Sequence, residues 1–140
     1  MTDGLDQELA NAGLNLLRAD PDLTVFDGAV ANPTPDIKSD PWVLVYTTIS
    51  WPTGAPGDAL DGLSGSPTVR WICHCVGGNA EAARAVAQRV RTQLLNQRPV
   101  IAGLDLGMIR FEQGDPPGRN EMTGELVMDA VVIYRLNANT

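Results

Sequence analysis

TVRWICHCVGGNAEAARAVAQRVRTQLL, residues 68–95, is the stretch whose reading decides the fold. Its first part, Thr68–Val76, alternates so that Val69, Trp71, Cys73 and Cys75 fall on one side of an extended strand, with His74 on the other. Gly77 and Gly78 break the strand, and Asn79 caps a helix that runs to about Leu95. Two more extended runs follow, Leu106–Gln113 and Gly124–Leu136. In the last of these Leu126, Met128, Ala130, Val132, Tyr134 and Leu136 make an unbroken apolar face. Glu125, Asp129 and Arg135 look the other way, together with Val127, Val131 and Ile133.

Upstream, Leu5–Arg18 places Leu5, Leu9, Ala12, Leu16 and Leu17 on one helical face, with Asp6 and Glu8 in the first turn, where the helix dipole favours acid. Asp20-Pro21 ends that helix. Leu23–Phe26 reads as a short strand turned by Asp27-Gly28, and residues 31–41 as a proline-rich connector. Trp42–Ile49 (WVLVYTTI) has the β-branched and aromatic content of a buried strand. Ser50–Pro67 has no periodic pattern and joins two strands of similar length, so it reads as the tip of a long antiparallel hairpin. Gln113–Met122 is a second, shorter loop of that kind. The expectation is an α+β fold in a single domain, residues 1–140: a mainly antiparallel sheet of four to five strands, two helices packed on it, and a long hairpin loop at 50–67.

A hydrophobic fraction of 44% and a charged fraction of 19% are ordinary for a soluble chain. No apolar run approaches the ~20 residues that span a bilayer. The opening MTDGLDQEL lacks the basic and apolar segments of a signal peptide, so a cytoplasmic setting with reduced thiols is expected. A net charge of −7 argues against a protein that binds nucleic acid by neutralising phosphates. The charge is unevenly placed: residues 1–67 carry ten acids against Arg18 and Lys38, a net −8, and residues 68–140 carry seven acids against eight arginines, a net +1. Such polarity can orient a protein among neighbours of opposite sign.

Little in the chain offers chemistry. Cys73-His74-Cys75 has metal-ligand residue types, but strand alternation splits them over two faces, and the single histidine and two cysteines cannot make a four-ligand zinc site. The same split defeats a Cys–His nucleophile pair, and two parallel side chains on one strand cannot readily reach the torsion of a disulfide. Gly62-Leu63-Ser64-Gly65-Ser66 fails the nucleophile-elbow spacing, and no phosphate-binding glycine loop is present. An enzyme would have to use His74 with Glu112 or Asp129, which no sequence feature brings together. Glu112, Glu125 and Asp129 can gather on one sheet face, where Arg110 and Arg135 would pair with them. On the helix, Ala83, Val86, Ala87, Val90 and Leu94 make the core stripe. Arg84, Gln88, Arg91 and Leu95 make a second stripe beside it, with the look of a partner-facing edge.

The order of these segments resembles the tail terminator (tail-completion or minor tail) proteins of long-tailed, non-contractile bacteriophages. The resemblance runs from the N-terminal helix through Thr24–Val30, Pro41–Tyr46, Arg70–Gly77, the helix Ala80–Leu95, Arg98–Gly103, Ile109–Phe111 and Pro116–Arg119 to the last strand. It lies in spacing and segment order and carries no catalytic motif. It implies a structural virion protein with no cofactor and no enzymatic role. Its partners would be itself, as a ring of usually six copies, the tail tube protein and a head–tail connector, with genomic DNA passing through without specific binding. The protein would be assembled in the bacterial host cytoplasm and reside at the tail–neck junction. On that frame Arg84, Gln88, Arg91 and Leu95 are expected at a subunit boundary. Trp51, Leu60 and Leu63 are expected to dock on the tube, in a segment ordered by that contact, and Glu112, Glu125 and Asp129 to face an acidic lumen. The alternatives are another head–tail connector or neck adaptor, and a small ligand-binding α+β module, which would need a pocket with convergent polar groups.

Overall fold

The computed structural model describes residues 2–30, 36–37, 40–51, 67–120 and 127–139. Helix α1 (Thr2–Arg18) leads into strand β1 (Thr24–Asp27), then β2 (Trp42–Ser50) and β3 (Thr68–Gly77). Helix α2 (Ala80–Leu94) follows, then β4 (Asp105–Leu106), β5 (Arg110–Gly114), β6 (Gly118–Asn120) and β7 (Val127–Asn139). The sheet order is β1-β2-β3-β7-β4, with β5 and β6 also lying along β7. The class is α+β, as expected. The β1–β2 pair is parallel and every other pair is antiparallel.

The β2–β3 ladder runs from Trp42 opposite Val76 to Ser50 opposite Thr68, so residues 50–67 do connect a hairpin. Residues 52–66 of that connection, with Leu60 and Leu63, lie outside the described residues, as does Glu125. The sheet has seven strands where four to five were expected. Part of the difference is that Leu106–Gln113 is two strands. Between them Ile109 is fully buried, its N–H donating to the Gln97 carbonyl while its own carbonyl accepts from Asn96 N–H. Those bonds pull the chain off β7 and onto the end of α2. A bulge between Phe111 and Gln113 leaves Glu112 as the extra residue of β5.

Both helices cover one face of the sheet. Val69, Trp71, Cys73 and Cys75 of β3, with Val43, Val45, Tyr134 and Leu136 of the neighbouring strands, are buried beneath them. Helix α1 lies over β1, β2 and β3, and α2 mainly over β3 and β7. The Asn79 side chain accepts from Ala82 N–H at 2.8 Å and so caps α2 as expected. Strand β3 runs straight against this first turn: a Cβ at Gly77 would stand 2.6 Å from both Ala82 Cβ and Ala83 N. The buried face of α1 is centred on Leu9, Gly13, Leu14 and Leu17, and the expected Leu5, Ala12 and Leu16 sit at its margin, half-buried. The shift has a steric cause. Gly13 lies flat on the Trp71 indole, whose N–H donates to the Ala10 carbonyl, so the helix is turned to put its smallest residue there.

Candidate functional site

The Cys73-His74-Cys75 segment divides as the alternation requires. Both thiols are fully buried under the helices, and burial pushes the Cys73 thiol up to about 12 and the Cys75 thiol higher. A thiol so held is protonated at neutral pH and a poor nucleophile or ligand. His74 lies on the opposite face, its Nδ1 2.9 Å from Asp129 Oδ2 and its ring edge-on to Tyr46 at 5.6 Å. Sequence reading found nothing to bring His74 to Asp129, and the structure corrects this. Asp129 is opposite Val76 and Val131 is opposite His74, so the two side chains are diagonal neighbours on one face. The other Asp129 oxygen, Oδ1, is buried without a hydrogen-bond partner. The described residues contain no group of three side chains able to hold a metal.

The acidic sheet-face residues that are described are both engaged. Glu112 takes Arg70 Nε at 3.0 and 3.1 Å across its two oxygens and stands 3.5 Å from Arg135 Nη1. Arg70 and Arg135 are directly opposite each other on β3 and β7, so Glu112, aimed by the bulge, separates two like charges. Arg110 donates instead to Asn96 Oδ1 at 2.6 Å.

Helix α2 has two unlike flanks. Toward α1, Arg89 pairs with Asp20 at 3.0 Å and Gln93 donates to the Leu16 carbonyl at 2.7 Å. The Asp22 backbone N–H, and then Arg89, hold the Asp20 carboxyl below its ordinary value. Along this flank a groove of about 450 Å³ opens between the start of α2 and the turns that flank β1, lined in part by Asp22, Asp40 and Glu81. On the flank away from α1, Arg84, Gln88 and Arg91 are exposed and Leu95 is half-buried against the core. Burial, with the nearby Cys73, raises the Tyr134 hydroxyl to about 12 against the opposing pull of Arg91. The Phe111 ring meets Tyr134 edge-on at 5.7 Å and is 49% exposed, so the arginine flank continues onto β5. The signal for this extension in the sequence was the lone aromatic Phe111 within the otherwise polar run RFEQG, residues 110–114.

Trp51 is half-buried against the core, and its indole N–H donates to Asp6 Oδ1 at 2.8 Å, tying the end of β2 to α1. A second groove, of about 530 Å³, lies between α1 and residues 99–102, with Val100 93% exposed at its rim. None of the described helices is long and apolar enough to cross a membrane.

Neither family models nor curated protein sequences give a match to this chain. Its fold is similar to that of a solved chain from the virion of a native gene transfer agent particle, with a TM-score of 0.63 and 16% identity, over 93% of this chain and 93% of that one.

Proposed function

We propose that this chain is a structural virion protein of a phage-like particle. It would form a ring, of six copies, that caps the tail tube, stops its polymerisation and offers a docking surface to the neck. The observation that carries the reading is the fold likeness to a gene transfer agent virion chain over nearly the full length of both. Supporting it, among the described residues both thiols are sealed in the core and His74 and Glu112 are engaged with Asp129 and with Arg70. In this reading Arg84, Gln88, Arg91 and Leu95 belong to the subunit boundary, and Trp51, Leu60 and Leu63 to the tube contact. Glu112, Glu125 and Asp129 belong to the face toward the DNA conduit, where acidic groups let the genome slide. The same likeness also favours a head–tail adaptor of the neck, a neighbour in the same class.

The test is light-scattering mass and negative-stain imaging of the protein alone and mixed with tail tubes. Rings on one tube end, with tube length fixed by the protein's presence, are the expected result. Binding to head connectors with no effect on tubes would assign the chain to the adaptor role. A protein that stays monomeric and ignores both would end the virion reading.

A further inference from the structure

The two flanks of α2 are complementary. On one, Arg84 and Arg91 form no ion pair among the described residues. Past the end of this flank, where Arg110 of β5 bonds Asn96, comes the exposed Phe111, on a strand that among the described residues pairs only with β7. On the other flank the groove has an apolar floor in Leu23, Pro41 and Val86, ringed by Asp22, Asp40 and Glu81. Among its described lining residues the one cation is Arg89, which is held by Asp20 at 3.0 Å and reaches Asp22 only at 4.0 Å.

We infer that these are the two halves of one contact between copies of this chain: the Arg84–Arg91 flank with Phe111 of one copy seats in the Asp22–Asp40–Glu81 groove of the next. Charge complementarity selects a second copy as the occupant, because the groove offers carboxylates where the flank offers uncommitted guanidiniums. The halves lie on opposite sides of one helix, so the contact is head-to-tail, and each copy added presents the same free surface again. Such a contact closes into a ring when its rotation divides a full turn. The inference rests on the ring reading above and names its interface.

The test uses two variants of the full chain, Arg84→Glu/Arg91→Glu and Asp22→Lys/Glu81→Lys. All four positions are exposed, and circular dichroism checks that both variants fold. Sedimentation at low salt should show the wild type assembling. Each variant alone should need at least tenfold more protein to do so. A one-to-one mixture should restore assembly, because the reversed flank of one variant meets the reversed groove of the other and the intact surfaces meet each other. A mixture that closes only into even-numbered rings is the strongest support. Variants that assemble like the wild type, or a mixture that stays dissociated, overturn the interface while the ring reading stands. A wild type that never assembles, free or on tubes, overturns both. Retention of duplex DNA by the wild type, lost in the arginine variant without any self-association, reassigns the flank to DNA.

Discussion

Gly13→Ala should be strongly destabilising although it places the best helix former in the middle of a helix. On propensity alone the change stabilises by about 1 kcal/mol. Against this, the new methyl group would stand 2.8 Å from Trp71 Cδ2 and closer still to the indole edge. Carbon–carbon contact is comfortable at about 3.5–4.0 Å, so ring and helix must part by roughly 1 Å. Trp71 is fully buried between α1 and the sheet and cannot simply swing out. Overpacking of this kind costs about 1–3 kcal/mol. Moving the ring also stretches the 3.2 Å bond from its N–H to the Ala10 carbonyl, and a buried donor left unpaired costs about 1–3 kcal/mol more. The net loss is about 3 kcal/mol, which in a chain of this size lowers Tm by about 10 °C. Urea and thermal melts followed by circular dichroism measure it. Gly4→Ala is the control, since nothing stands within 4 Å of its Cβ and it should gain a few tenths to about 1 kcal/mol. Trp71→Phe in the Gly13→Ala background should recover part of the loss, because the smaller ring leaves the methyl room. If Gly13→Ala is as stable as Gly4→Ala, the close approach of α1 to Trp71 is wrong.

The buried thiols give a pH prediction. Cys73 is raised from 9.0 to about 12 in the fold, so stability is full below pH 9 and falls as pH rises toward 12, with Tyr134 acting in the same sense. A thiol reagent at pH 8 should therefore modify Cys73 and Cys75 only as fast as the protein unfolds. Cys73→Ser/Cys75→Ala should cost roughly 1 kcal/mol per site and leave no zinc to lose; stoichiometric zinc in the purified protein would refute the core reading. Glu112→Gln should cost up to about 1 kcal/mol at low salt and less at high salt, because it leaves Arg70 and Arg135 facing each other and salt screens them. A loss unchanged by salt would mean the bulge, not the charge, is what Glu112 supplies. His74→Ala should cost more than Asp129→Ala, by about 1 kcal/mol, because the first leaves the less exposed Asp129 carboxyl without its partner and the second leaves the more exposed imidazole free to meet water. Chemical denaturation of both, with the double variant, would reveal the order.

Much of this fold is legible in the chain, and the parts that are not share a cause. Thr68–Gly77 could be read because a period of two needs no partner to be visible, and α2 because Asn79 and its apolar stripe are local signals. The position of α1 could be read, but its rotation could not, since that depends on Gly13 meeting a tryptophan far along the chain. The break between β4 and β5 was hidden for the same reason: Ile109 leaves the sheet to bond Asn96 and Gln97. The His74–Asp129 pair depends on the β3–β7 register, which alternation narrows only to a choice of face. The parallel β1–β2 pair carried no cue at all, because β1 is four residues long and reaches its partner only after the connector.

The strand order also turns a property of the sequence into a property of the shape. The acidic first half of the chain supplies α1, β1 and β2, which lie together at one side of the sheet. The arginine-bearing second half supplies β7 and the edge strands along it at the other side, with β3 between them and α2 above. A charge split along the chain thus becomes a split across the domain. Two such domains packed side by side through one flank about a two-fold axis would bring like flanks together, acid to acid or arginine to arginine, and like charges face to face are disfavoured. Repetition in one direction brings unlike flanks together at every contact. On the face opposite the helices, Ile37 of the connector buries Trp42 and Val76 at one end, while Tyr46, His74 and the Arg70–Glu112–Arg135 cluster lie farther along and are partly exposed among the described residues. In the proposed ring, contacts through the two flanks of α2 would then leave this part of the sheet to whatever passes or docks across it.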